Sequence, residues 1–504
     1  MTDQVVSREE STGGQVQRLK RDAIGTLAVI FMAVATAAPI TAMVGNVPIA
    51  VGFGNGSHAP AGYFVATVVL GLFAIGYATM AKHITATGAF YGYITHGLGR
   101  VVGMASGVII TMAYVVFEGS LIGIFSFFFQ DFAATQFAID VPWLVPAILM
   151  LTLNCILTYF DVNLAAKVLG VFLITEIFML SLGALAVLFR GGGPDGFAVA
   201  ETLNPAGAFS PAAGIAGASA GIGLFFAFWS WVGFESTAMY GEESKDPKRI
   251  IPRATMISVL GVGIFYVFIS WMAIAGTGPQ KSVELAQDSA TAGNIFFDPV
   301  QATYGDWAIT MFKFLLVTGS FACGMAFHNT AARYMYSLAR EGVLPHALSR
   351  THHSFKSPHV ASFTQSLLAV IWIALFAYFL GTDDPNAQAY VAIYTMLAIL
   401  GTMLLLILQA VVSIAIIAYF RANPSDDAGI FSTVIAPVIA FVAQVYLVYL
   451  LVQNLATFGG SGSFGSNIPW IALAIVVIGF IWGVVLRIVS PNVHARIGRM
   501  VFND

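Results

Sequence analysis

The sequence is short of charge. Asp, Glu, Lys and Arg make up 9 % of its 504 residues, against roughly a quarter in an average soluble domain. No polar stretch between the apolar runs is long enough to build a soluble domain of its own. Cysteine is scarce as well: Cys155 and Cys323 both fall inside apolar runs, which excludes a disulfide framework and a cysteine-built zinc site. No His-Glu-x-x-His, paired-Asp or Gly-x-Ser-x-Gly arrangement stands where catalysis could use it. The chain is therefore not expected to be an enzyme, and no cofactor or metal is expected. The short alternating segments of a transmembrane β-barrel are missing too.

What is present is apolar: 58 % of the residues, in runs that reach or exceed the ~20 residues needed to cross hydrocarbon. This predicts an all-α polytopic membrane protein. Twelve spans are expected, at about 23–53, 60–81, 99–129, 142–160, 164–189, 214–240, 251–276, 307–337, 359–380, 389–419, 431–455 and 468–488. Residues 1–22 are polar and read as a disordered tail. Arg18, Lys20 and Arg21 precede the first run, and Ala35-Thr36-Ala37 resembles a cleavage site. That run continues well past the site, so it reads as an uncleaved span.

The basic residues test this map. With a cytoplasmic N-terminus, Arg190 and Lys281 fall outside, Lys313 falls in the eighth span, and the other 19 of the 22 Lys and Arg lie inside. The positive-inside rule predicts that asymmetry. Both termini are expected in the cytoplasm of a cell whose cytoplasmic membrane holds the protein. Topology accounts for the basic residues, the loop from Lys245 to Arg253 included, so no nucleic-acid partner is expected.

Two spans are interrupted. AVATAAPITAMVGNVP, residues 33–48, carries Pro39, Gly45, Asn46 and Pro48 inside the first span. GIGLFFAFWSWVGFESTAMYGEE, residues 221–243, places Ser230 and Gly233 at the middle of the sixth, followed by Glu235. Backbone groups freed at membrane depth are tolerated only where protein or a polar cavity covers them. If spans one to five and six to ten are repeats, the two interruptions correspond, and paired interruptions point to a transporter's binding site. Freed N–H groups and the positive end of a half-helix suit a carboxylate, and freed carbonyls suit an ammonium. A zwitterion could thus be held without charged side chains. Pro39 and Pro48 are expected to bracket the unwound stretch, and Gly45 to admit a ligand close to the backbone. The candidate binding residues are Pro39, Ile40, Thr41, Ala42, Met43, Val44 and Gly45 in span one. In span six they are Phe228, Trp229, Ser230, Trp231 and Gly233. Phe228, Trp229 and Trp231 flank the break and could roof an apolar side chain or a cation. For Pro39 alone a simple kink is the blander reading.

FFAFWSWVGFESTAMYGEESKDPKRIIPRA, residues 225–254, resembles the span-six signature of the amino acid–polyamine–organocation permeases. ARYMYSLAREGVLP, residues 332–345, resembles the end of their eighth span, and GAFYGYITHGLGR, residues 88–100, their first cytoplasmic loop. The resemblance implies a five-plus-five inverted-repeat fold with discontinuous helices one and six. The first repeat would be residues 23–190 and the second 214–419, with two additional spans at 431–488 and a cytoplasmic tail at 489–504. It also implies alternating access and amino acid or amine substrates. In arginine-exchanging members a Trp four residues before the Gly of Gly-x-Glu stacks on the substrate, and Trp229 holds that position relative to Gly233 and Glu235. Span one departs: Thr41-Ala42-Met43-Val44-Gly45 stands where the family often has Gly-Ser-Gly.

Five ionisable residues lie within spans, where they are costly and functionally suspect. Glu235 follows the span-six break and either holds the half-helix or carries a proton. Glu118 and Lys313 sit at similar heights in spans three and eight, so an ion pair between them can form, although snorkelling to the outer interface is the preferred reading for Lys313. Glu176 at the centre of span five is a candidate proton carrier or an inward polar link. His328 in span eight is a second titrating candidate, or a hydrogen-bonded packing residue. No Ser/Thr pair around Ala326-Phe327-His328-Asn329 suggests a sodium site, although Thr330 is near. The reading is a proton-coupled importer of amino acids or related amines. Partners would be the small-molecule substrate, protons and the bilayer, with the oligomeric state open. Polyamine, ethanolamine or organic-acid transport and a binding-only membrane sensor are the alternatives.

Overall fold

The computed structural model describes residues 25–84, 88–159, 162–241, 244–352, 357–379, 388–458 and 463–498. Helix dominates, because a chain this apolar must satisfy its backbone within each segment. The helices that matter below are α1 (Thr26–Ala37), α2 (Pro39–Ile49), α3 (Ala59–His83), α4 (Phe90–Leu98), α5 (Arg100–Phe137), α6 (Leu144–Tyr159) and α7 (Val162–Phe189). They continue with α8 (Ala220–Trp229), α9 (Pro247–Thr277), α10 (Asp306–Arg340), α11 (His359–Phe379), α12 (Met396–Ala422), α13 (Ala436–Phe458) and α14 (Ser463–Val489). Among the described residues nine helices are long and apolar enough to cross a membrane, and Leu144–Tyr159 and His359–Leu375 are shorter apolar helices. The protein is a multi-pass helical membrane protein.

Two long pairs organise the core: α3 runs against α9, and α5 against α10. The helix α5 is the most enclosed, with a continuous buried run from Ala113 to Ser126 through its centre. By contrast α13 and α14 lie at the edge, where Val442, Trp470, Ile478 and Ile488 are exposed. Those apolar faces need lipid to cover them.

Four helices share one buried polar cluster, and it settles the ion pair weighed above against both readings: Glu118 and Lys313 each have another partner. Glu118 on α5 does not meet Lys313. Its Oε1 lies 2.8 Å from His328 Nδ1 on α10, and its Oε2 accepts from Gln365 Nε2 on α11 at 2.6 Å. Asn154 Nδ2 on α6 adds a donor at 3.3 Å. His328 Nε2 lies 2.8 Å from Ser362 Oγ, which in turn lies 2.6 Å from Thr158 Oγ1. Lys313 instead pairs with Asp131, at 2.9 Å, near the end of α5. The sequence map stopped span three at residue 129, while α5 continues to Phe137. The closer acid therefore lay beyond the expected boundary.

At the opposite end of α10 the tail folds back. Ile497 joins Tyr91, Met104, Leu338, Val343 and Leu486 in a satellite core. The Gly498 N–H reaches both Tyr91 Oη and Glu341 Oε1, each at 3.2 Å, and Tyr91 also donates to Glu341. Burial pushes the Glu341 carboxyl up from 4.5 to about 7, while the Tyr91 hydroxyl, the Gly498 N–H and the Arg340 charge pull partly the other way. An acid raised on folding stabilises fully below its unfolded value, and that contribution is lost as pH rises through about 7. Glu341→Gln cannot titrate, so its melting temperature should change less between about pH 5 and about pH 8 than the wild type's. Equal pH dependence in the two proteins would clear Glu341 of that role.

Candidate substrate site

The first interruption is one residue wide. Ala38 is left-handed at φ 42°, ψ 76°, and it joins α1 to α2. Pro39 opens α2, where its missing N–H costs nothing. A residue before proline is pushed out of the right-handed helical region, which is the local reason for the break. The expectation of an unwound stretch bracketed by Pro39 and Pro48 is corrected here. Thr41 to Gly45 are helical, Pro48 lies inside α2, and the helix ends in a wide turn over Ala50–Gly54. The carbonyls before the break have partners: Thr36 O accepts from Cys323 Sγ at 3.2 Å and Ala37 O from Tyr266 Oη at 3.2 Å. Past it, the Ile40 N–H faces Glu176 Oε2 at 3.5 Å.

The second interruption is longer. Ser219 caps α8 by accepting from the Gly221 N–H at 3.2 Å. The α-helix stops at Trp229, Ser230 to Gly233 form turns, and a 3₁₀ segment covers Phe234–Tyr240. Gly233 has φ 118°, a conformation open chiefly to glycine. Glu235 holds this turn. Its Oε2 accepts from the Gly233 N–H at 3.0 Å and its Oε1 from Tyr114 Oη at 2.6 Å, while Tyr77 Oη donates to its carbonyl at 3.0 Å.

The two breaks touch. A Cβ on Gly233 would stand 2.5 Å from Thr36 Cγ2. Gly233→Ala therefore meets a forbidden φ and a clash, which together should cost about 2–4 kcal/mol. Adding Thr36→Ala should recover only part of the steric share, because Thr36 Cβ still stands 2.9 Å away. A Gly233→Ala protein as thermostable as the wild type would refute the contact.

Between the breaks lies a cavity of about 20 Å³, lined by Thr41, Asn46, Trp229, Ser230, Phe327 and Tyr394 among others. That is room for about one water, so an amino acid enters only if the walls part. The lining carries no acidic or basic side chain. One hydrogen-bonded chain crosses it: Trp229 Nε1 donates to Tyr394 Oη at 2.9 Å, Tyr394 donates to Asn46, and Asn46 Nδ2 donates to Ser230 Oγ at 2.8 Å. Tyr63 Oη lies 3.0 Å from the same Ser230 oxygen. Phe117 covers the Trp229 ring at a centroid distance of 4.6 Å. Thr41 Oγ1 is buried and has no hydrogen-bond partner among the described residues, although a buried hydroxyl ordinarily finds one.

Of the residues singled out from the sequence, Thr41, Ala42, Trp229 and Ser230 line this cavity, and Gly233 abuts Thr36. Pro39, Ile40, Met43, Val44, Gly45 and Phe228 are buried beside it without lining it. Gly45 still serves the site, since its carbonyl accepts from Tyr390 Oη at 2.7 Å. Trp231 turns to α9, where its Nε1 donates to Val259 O at 3.2 Å. Sequence reasoning missed Tyr394, Cys323 and Phe327, which arrive from distant spans and carry no charge to mark them. Asn46 was visible as a polar residue one helical turn and a half from Thr41. Among the flagged charges, Glu176 and Glu235 lie against the breaks. Glu118, His328 and Lys313 belong to the α5–α10 side described above.

The amino acid permease family profile matches residues 24–491. The chain is 21 % identical to the branched-chain amino acid permease BcaP of Bacillus subtilis, over 86 % of each chain. It is 22 % identical to the glutamate/serine transporter AimA of the same organism, over 62 % of this chain and 59 % of that one. An uncharacterised transporter of Mycobacterium tuberculosis is 26 % identical, over 78 % of this chain and 80 % of its own.

Proposed function

The chain belongs to the amino acid permease family, and from that membership we propose that it is a proton-coupled secondary transporter of neutral amino acids. The observation that carries this is the small cavity between two helix breaks, with Trp229 and the unpartnered Thr41 hydroxyl in its wall. A lining without charged side chains suits a zwitterion of zero net charge. A polyamine or an organic acid would bring an uncompensated charge into a buried site, which costs several kcal/mol. Leu121, Val232 and Phe327 give the cavity an apolar flank, so an aliphatic side chain is the best fit. The branched-chain permease among its relatives transports cargo of that kind by its name.

We read twelve crossings in two inverted repeats, the sixth being α8 with its 3₁₀ continuation. Supporting this, α1 touches the Phe234–Tyr240 segment while α2 touches α8, the crossed pairing that an axis in the membrane plane would generate. In the alternating-access cycle the bundle of α1, α2, α3, α8 and α9 rocks against α5, α6, α10 and α11. Both termini lie in the cytoplasm. Glu176 is the acid we assign to proton coupling. It is buried, and among the described residues one long backbone contact faces it at 3.5 Å, whereas Glu118 and Glu235 are each held by several donors.

The test is counterflow competition in liposomes with a panel of amino acids, amines and organic acids at several pH values. Neutral aliphatic amino acids should compete best, and uptake should rise as external pH falls. Glu176→Gln should flatten that pH profile while leaving substrate competition intact. Uptake that follows a sodium gradient at fixed pH would sink the proton assignment. Binding without counterflow would favour a sensor.

A further inference from the structure

A second polar groove lies far from the substrate cavity, between α4, the start of α5, the end of α14 and the tail. It measures about 880 Å³, and Arg100, Arg487, His96 and His494 face it. No acid is among its described lining residues. Glu341 lies behind Gly498, occupied by Tyr91 and the Gly498 N–H, and Arg340 flanks it over the Tyr336 ring at 5.5 Å.

Three features make this groove ready for an anion. Arg100 is the first residue of a 38-residue helix. Its first internal backbone bond runs from the Gly103 N–H to Gly99 O at 2.9 Å, so the N–H groups of the opening turn have no helical acceptor and sit at the positive end of the helix dipole. His494 Nε2 is buried, and no described atom bonds it. Burial, then Arg100 and Arg487, hold the His494 imidazole below its usual 6.5. Both guanidinium groups also disfavour positive charge on that imidazole, and an anion in the groove would be attracted by both.

Position selects the anion. Arg487 stands in the last turn of α14, next to Ile488 and Val489, which are 72 % and 73 % exposed. Trp482 and Val485 extend the exposed apolar strip along the same helix. In a protein that spans a bilayer, that strip meets acyl chains while the groove meets the headgroup layer. We propose that this groove binds the phosphate headgroup of an anionic phospholipid, with Arg100 and Arg487 as its cationic clamp and the docked tail as its outer wall. The inference uses only the membrane-spanning part of the functional reading. Its readout is lipid binding, so its failure would leave the transport proposal standing, and failure of transport would leave it standing in turn.

The experiment is a native mass-spectrometric titration of the full chain with phosphatidylglycerol, against phosphatidylcholine and inorganic phosphate. Wild type should retain at least one phosphatidylglycerol under conditions that strip phosphatidylcholine. Each guanidinium near a charged headgroup contributes about 1 kcal/mol, so Arg100→Gln with Arg487→Gln should weaken the tightest site roughly thirtyfold. The charge-keeping pair Arg100→Lys with Arg487→Lys should stay within a few-fold of wild type. Arg249→Gln with Arg253→Gln alters a separate basic groove of about 530 Å³ and should spare the tightest site. Arg487→Gln alone, at an exposed position, should weaken it about fivefold even if the double variant folds poorly. Unchanged binding in Arg487→Gln, loss confined to Arg249→Gln with Arg253→Gln, or displacement of the lipid by inorganic phosphate would each overturn the proposal.

Discussion

Trp229→Ala should abolish measurable uptake while the protein still reaches the membrane. The indole does two things at the cavity: its ring packs on Phe117 at 4.6 Å, and its N–H fixes Tyr394 at 2.9 Å. Tyr394 in turn orients Asn46, and Asn46 orients Ser230. Removing the indole releases the whole chain of donors and leaves a void where the substrate should be gripped. A central aromatic anchor is worth about 2 kcal/mol or more, so affinity should fall at least roughly thirtyfold. Trp229→Phe keeps a ring but loses the N–H, and should fall between wild type and alanine. Transport kinetics in Trp229→Ala equal to those of the wild type would remove this residue from the substrate path.

The largest effect on stability is expected at Glu118. Its carboxylate is completely buried and held by His328, Gln365 and Asn154. Glu118→Ala strands His328 and Gln365 without their acceptor. Removing one member of such a buried pair costs about 3–5 kcal/mol, enough to empty the folded state of a marginally stable protein. The monodisperse yield in detergent and the melting temperature should both drop sharply. Glu118→Gln keeps an acceptor and should lose less. Replacing Glu118 and His328 together by leucine should do better than Glu118→Ala, because no imidazole is then stranded, although Gln365 and Asn154 still lose their acceptor. A Glu118→Ala protein that melts with the wild type would show that the cluster holds nothing together.

Much of this architecture was legible from composition and spacing, because a bilayer allows few solutions. The apolar runs gave the long helices, and Ser230 with Gly233 marked the sixth-span interruption to within a residue. The first-span break was harder to place. Its strained residue is an alanine, and nothing in a side chain that small announces a left-handed conformation. Pro39 was the usable signal, and it acts on the residue before it rather than on the stretch behind it. Partners were the least legible part. Glu118 and His328 are 210 positions apart, and matching charges by depth paired Glu118 with a lysine that Asp131 had already taken. Tyr394 was invisible for another reason. An uncharged tyrosine in an apolar run reads as packing until a neighbour 165 positions away donates a hydrogen bond to it.

The seam where Gly233 rests on Thr36 has a mechanical consequence. With no side chain between them, the half-spans Thr26–Ala37 and Phe234–Tyr240 meet backbone to side chain. In the rocking cycle proposed above, a contact this close would favour the two half-spans tilting together as one lever. Access from that end would then be controlled by a single hinged door rather than by two leaves opening in turn. A crosslink joining the two leaves of that door should leave it free to swing, and a crosslink from either leaf to its frame, α5 or α10, should jam it.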